Sequence, residues 1–124
     1  MGAELLCLAL AVYHEARNQP LAGQLAVAQV VVNRVRDSRF ANTVCGVVYA
    51  PWQFSFYWDG KSDKPYEMAA WSTAQLVASA AMAGSGHAEL EGVTHYHADY
   101  VSPWWAKRMN VAIEIGDHIF YSEV

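Results

Sequence analysis

Charge is scarce in this chain of 124 residues: Asp, Glu, Lys and Arg make up 16%, against about 25% in an average soluble domain. Apolar residues make up 54% and aromatics 13%. Little charge beside many aromatics excludes a disordered chain, which lacks the means to build a core. Positive charge is in deficit too, with a formal net charge of −4. A nucleic-acid binder carries a basic field, so that class is disfavoured. Five histidines hold charge in reserve. Protonating all of them in mild acid takes −4 to +1, which would strengthen contact with an anionic polymer.

Cysteine is limited to Cys7 and Cys45. Two are too few for a disulfide scaffold or an all-Cys zinc site. Cys7 lies in an apolar run and reads as a small buried hydrophobe, with a Cys7–Cys45 bridge as the minor alternative. Long hydrophobic runs are also missing. Leu5 to Tyr13 is the longest, about half of the ~20 residues a spanning helix needs. It is flanked by Glu4 and lacks a small-residue cleavage site, so it reads as a domain helix and not a signal peptide. An exported form is then expected to use another route, such as release through a phage holin, or to have had a signal removed.

What is present organises as one domain over residues 1–124, without repeats or linkers. Ala3 to Glu15 or Ala16 reads as a helix, apolar on most faces and therefore central. Asn18-Gln19-Pro20 breaks it, and Pro20 suits the start of a second helix. Leu21, Leu25, Ala28, Val32 and Val35 then mark one helical face. Arg34, Arg36 and Arg39 gather where that helix ends, complementing its dipole.

Residues 40–64 read as a long structured loop rich in aromatics. A third helix is expected to open at Pro65, capped by Ser62 or Asp63, with Met68, Trp71, Gln75 and Met82 along it and Gly84 at its end. Val93–His97 and His118–Tyr121 are β-type runs, expected to pair. Pro103-Trp104-Trp105-Ala106-Lys107 can begin a short helix. The fold class is α+β: about three helices plus a small antiparallel sheet.

Three kinds of chemistry compete. Glu15 ends the apolar helix beside Tyr13, His14 and Arg17. A carboxyl at the edge of an apolar cleft is held protonated by desolvation, as a general acid requires. The structural alternative is a helix-end glutamate paired with Arg17. A zinc site is conceivable from His95 and His97, which alternate on a strand, with His14, His118 or Asp99. His14-Glu15 begins an H-E-x-x-H motif, but Asn18 stands where the second histidine belongs. Nucleophilic catalysis has no support, because no G-x-S-x-G elbow is present. Trp52, Trp58, Trp104 and Trp105 fall in loop-like stretches and either fill core or line a sugar-binding groove.

The run Tyr13-His14-Glu15-Ala16-Arg17, then Gly23-Gln24-Leu25-Ala26-Val27-Ala28 and Val32-Asn33-Arg34-Val35, resembles the SleB/CwlJ-type cell-wall hydrolase family. The resemblance continues through Phe40 to Tyr49, Gln53-Phe54-Ser55, Thr94-His95-Tyr96-His97, Val101-Ser102-Pro103 with Trp105, and Ile115 to Tyr121. Each piece is weak alone; in order, across nearly the whole chain, they are specific. Trp52 and the aromatic run Ser55-Phe56-Tyr57-Trp58 depart from the family pattern. The additional wall-binding domain that spore-cortex enzymes often carry is not expected within these 124 residues.

The resemblance implies a reduced lysozyme or lytic-transglycosylase fold acting on peptidoglycan glycan strands, without a cofactor or metal. It implies Glu15 as the catalytic acid, and Gln53, Phe54, Tyr96 and His97 as substrate contacts. Trp52 and Trp58 join these as aromatic candidates. The expected reaction is lytic transglycosylation of the MurNAc-β-1,4-GlcNAc bond, with Glu15 as the one carboxyl. The competing reactions are a muramidase with Asp59, Asp99 or Asp117 as second carboxylate, a zinc amidase or peptidase using His95, His97 and His118, and a non-catalytic glycan-binding module. The expected setting is the bacterial wall, periplasm or spore cortex. The expected form is a monomer, without nucleic acid or membrane insertion.

Overall fold

A computed structural model describes residues 1–51, 54 and 64–123. Helix α1 runs Ala3–Ala16, α2 Leu21–Val35, α3 Val44–Val48 and α4 Met68–Met82. Strands β1 (His95–Ala98), β2 (Asn110–Ile115) and β3 (His118–Ser122) form one antiparallel sheet with β3 in the centre. The expected pairing of the two β-type runs is present as β1 on β3. The edge strand β2 was missed: Met109-Asn110 carries no turn signal against the preceding helical run. A 3-10 helix, Trp104–Arg108, occupies the expected short helix. None of the described helices is long and apolar enough to cross a membrane.

Helix α1 is central, with Leu8, Ala9, Ala11, Val12, Tyr13 and Ala16 fully buried. Helix α2 departs from the single-face reading. Ala28 and Val31 join the helical core with α1, α3 and α4. Ala26, Val27 and Val30 instead meet Leu90, Val93 and Phe120 on the sheet side. A helix wedged between two apolar bodies has two buried stripes, so Leu21, on neither, is 64% exposed. The stripe Gly23, Val27, Val30 and Arg34 carries the arginine inward. Arg34 lies in the last turn of α2, as expected, but its side chain is buried.

Inside the expected loop, α3 is a fourth helix of five residues. Thr43 Oγ1 accepts from Gly46 N–H, and the Glu4 carboxylate of α1 accepts from Val44 and Cys45 N–H. Those contacts seat α3 on the first turns of α1. Cys7 and Cys45 are thereby brought to 5.2 Å between Cα atoms and joined in a disulfide. This corrects the reading of Cys7 as an unbridged hydrophobe. The partner lies 38 residues away, and only the α1–α3 packing makes them neighbours.

Helix α4 starts at Met68, three residues beyond Pro65. The Tyr13 hydroxyl accepts from the N–H groups of Tyr66 and Glu67 at 3.1 and 3.0 Å. This buried tyrosine holds the segment that leads into the helix. Ala74, Val77, Ala78 and Ala81 form the buried face, while Met68 and Met82 are exposed. Small alanines permit close approach to α1 and α2, whereas the bulky methionines lie at the helix ends. The expected caps Ser62 and Asp63 lie outside the described residues.

Candidate active site

Glu15 stands on the last turn of α1, and α1 ends one residue later. It faces a cavity of about 250 Å³ whose walls include Arg34 of α2, Tyr96 and Ala98 of β1, and His118 of β3. Tyr100 and Val101, on the turn after β1, complete the rim. Burial alone raises the Glu15 carboxyl to a pKa of about 7. Among the described residues nothing hydrogen-bonds or ion-pairs with it. Arg17, its expected partner, bonds elsewhere: its Nε is 3.4 Å from Glu67 Oε1, and its guanidinium lies over the Tyr13 ring at 4.7 Å. Positions 15 and 17 lie on different sides of a helix, which keeps the two apart.

The opposite wall is polar. Arg34 Nε donates to Thr94 O at 2.9 Å, and its guanidinium lies 5.2 Å from the Phe40 ring and 5.9 Å from the Phe54 ring. Desolvation by burial lowers the Arg34 pKa. Tyr96 stacks on Phe120 at 5.3 Å. Burial, with the Glu15 charge adding to it and Arg34 opposing it, holds the phenol well above its usual range. Tyr96 therefore stays a neutral donor. His118 is buried, and its Nδ1 has no hydrogen-bond partner among the described residues. Desolvation lowers its pKa, against the opposing pull of Asp117 and Asp99, so its ring is neutral near pH 7.

The expected contacts are placed unevenly. Tyr96 lines the cavity beside Glu15. His97 also borders it, but its ring is committed elsewhere: Nε2 pairs with the Tyr121 hydroxyl and Nδ1 with Ala98 O, both at 2.7 Å. Phe54 is 1% exposed within the helical core, where its ring lies 5.9 Å from the Arg34 guanidinium. Trp52, Gln53, Trp58 and Asp59 lie outside the described residues. Trp105 packs against His95, His97 and Tyr121, whereas Trp104 is 73% exposed.

The zinc reading is corrected by strand register. His97 pairs with Ile119 and His118 with Ala98, so adjacent pairs point His97 and His118 to opposite faces of the sheet. Among the described residues, no three His, Cys, Asp or Glu side chains gather closely enough to hold a metal. Of the proposed second carboxylates, Asp117 is tied to Gln19: its N–H donates to Gln19 Oε1 at 2.9 Å, and its Oδ2 accepts from Gln19 Nε2 at 3.1 Å. Neither Asp117 nor Asp99 borders the Glu15 cavity, where Glu15 is the single carboxyl among the described residues.

Arg34 and Tyr100 were not singled out for the site from the sequence. A signal existed for Arg34, because it continues the 4-3-4 spacing of Gly23, Val27 and Val30. No local signal marks Tyr100, which reaches the rim through the β1–β3 register.

A family model described as Cell Wall Hydrolase matches residues 18–121. The spore cortex-lytic enzyme of Bacillus subtilis is 36% identical over 94% of this chain, and that of Oceanobacillus iheyensis is 34% identical over 94%. The chain spans only 37% and 41% of the length of those two relatives. The crystal structure of the catalytic domain of Bacillus cereus SleB superposes with a TM-score of 0.81 at 33% identity, over 96% of this chain and 89% of that one. The catalytic domain of the germination-specific lytic transglycosylase SleB from Bacillus anthracis gives the same score and identity, with 93% of its chain covered.

Proposed function

This chain belongs to the cell wall hydrolase family, and we propose that it is a peptidoglycan lytic transglycosylase with Glu15 as its one catalytic carboxyl. The observation that carries the proposal is the setting of Glu15: half-buried, with no hydrogen bond or ion pair among the described residues, raised to about 7 by desolvation, and facing a cavity. A carboxyl in that state is protonated in a large fraction at neutral pH and can give up its proton.

In the proposed reaction, Glu15 protonates the oxygen that leaves C1 of the muramic sugar, and the C1–O bond breaks. The substrate's acetamido oxygen stabilises the positive charge developing at C1. The Glu15 carboxylate then takes the proton from the sugar's C6 hydroxyl, and O6 closes on C1. Glu15 ends protonated, as it began, and no water is consumed. Hydrolysis by two carboxyls needs the second at about 5–9.5 Å. The lack of another carboxyl among the described cavity residues therefore favours the single-acid route. Arg34 and the neutral Tyr96 hydroxyl offer donors for the sugar's polar groups. The setting is the bacterial wall or spore cortex, where a disulfide persists, and one copy of the chain takes one glycan strand.

The test is mass spectrometry of fragments released from purified peptidoglycan by the wild type and by Glu15→Gln. Anhydro-muramic ends, one water lighter than hydrolysed ends, are expected from the wild type and none from the variant. Reducing muramic ends would replace the transglycosylase by a hydrolase. Free stem peptides, or an active Glu15→Gln, would overturn the proposal.

A further inference from the structure

The cavity at Glu15 holds about 250 Å³, below the ~300–1,000 Å³ of ordinary small-ligand pockets. It can enclose about one sugar ring, so a polymeric glycan must continue outside it. Tyr100 stands at its rim. It borders the cavity and is nevertheless 84% exposed. Among the described residues its ring stacks on nothing, and its neighbour Val101 is 43% exposed. The fold gains little from such a side chain, since an exposed aromatic neither fills core nor satisfies a buried donor.

The backbone beneath it is fixed. Asp99 N–H donates to Asp117 O at 2.7 Å, and Val101 N–H donates to Ala98 O at 3.1 Å. The first contact ties the turn to the β2–β3 hairpin and the second closes it. The ring is therefore carried on a turn pinned on both sides, at a set position relative to Glu15. Pyranose rings present flat arrays of C–H groups, which pack on the electron-rich face of an aromatic ring.

We propose that Tyr100 is the stacking platform for the sugar next to the one held at Glu15, and so a specificity-determining residue for glycan length. This rests on the reading of the site as a glycan-cleaving centre. The energy of stacking is made away from the bond that breaks, and it holds the strand in register for proton transfer.

The test uses purified peptidoglycan and the variants Tyr100→Ala and Tyr100→Phe, with thermal unfolding as a control. Tyr100→Ala is expected to raise the half-saturating glycan concentration about tenfold while the melting temperature stays unchanged. Tyr100→Phe keeps the ring and is expected to behave as the wild type. Equal half-saturation in Tyr100→Ala and the wild type overturns the inference. Tyr100→Phe failing as badly as Tyr100→Ala also overturns it, since the hydroxyl would then be the contact. If the wild type itself releases no glycan fragments, the reading of the site fails first, and the two failures are told apart.

Discussion

Arg17 Nε lies 3.4 Å from Glu67 Oε1, and this contact turns the nearest cation on α1 away from Glu15. The pair is partly exposed, so it contributes little to stability. Its separation from Glu15 can be tested. Glu67→Ala should cost under about 1 kcal/mol in urea unfolding. It should leave the alkaline limb of the activity profile in place. A limb displaced toward lower pH would show Arg17 reaching Glu15 once Glu67 is gone.

Glu15 sets the pH response of activity and stability in opposite ways. As the proposed acid, it is needed protonated, so kcat/KM should fall as pH rises through about 7. For stability, its native pKa of about 7 lies above the ordinary 4.5. Between those values the native state holds a proton that the unfolded chain has lost, so unfolding becomes easier as pH rises. Glu15→Gln removes this penalty. The inactive variant should therefore be more stable than the wild type at pH 8, by on the order of 2 kcal/mol. The gap should vanish below pH 4.5. Urea titrations of both proteins at pH 4 and pH 8 decide it; a gap that does not change with pH would contradict the burial of Glu15.

Activity should survive EDTA. His97 and His118 point to opposite sheet faces, and His97 is occupied by Tyr121 and Ala98. Loss of turnover in EDTA, restored by added zinc, would contradict this arrangement.

Much of the fold was legible because local patterns decided it. The apolar run of α1, the break at Pro20 and the alternation in β1 and β3 each report a local preference that tertiary packing reinforces. The position of Glu15 at a cleft was legible for the same reason: an apolar helix carries it there. What stayed hidden depends on distant pairs. Helix α3 is held by Glu4, forty residues earlier in the chain, and the disulfide follows from that seating. The second stripe of α2 exists because the sheet packs on it, and an eye fixed on Leu21, Leu25 and Val32 passes over Val27, Val30 and Arg34. The zinc reading had the correct strand for His95 and His97, but only the register with β3 places His118 on the other side.

The disulfide makes a quantitative expectation. It closes a loop across a separation of 38 residues. Chain entropy assigns about 4 kcal/mol to a loop of that size. Replacing Cys7 and Cys45 together by Ser should lower the unfolding free energy by about 2–4 kcal/mol. Reduction of the wild type should match it. A change below about 1 kcal/mol would show that Glu4 and Thr43 hold α3 without the bridge.

The hydroxyl of Tyr13 offers a sharper test of how the site is scaffolded. It is the acceptor for two backbone donors, Tyr66 N–H and Glu67 N–H, immediately before α4. The ring is fully buried and packs edge-on against Trp71 at 6.0 Å. Tyr13→Phe preserves the ring and its contacts and removes only the oxygen. Both N–H groups then need a new acceptor; each left dry costs about 1–3 kcal/mol, and water reaching one of them reduces the loss. The expected result is a loss of about 1–3 kcal/mol in urea unfolding, together with faster amide exchange at Tyr66 and Glu67. The alkaline limb near pH 7 should persist, because Glu15 owes its state to burial and not to Tyr13. Unchanged stability with unchanged exchange would mean that the start of α4 is held by something other than this hydroxyl.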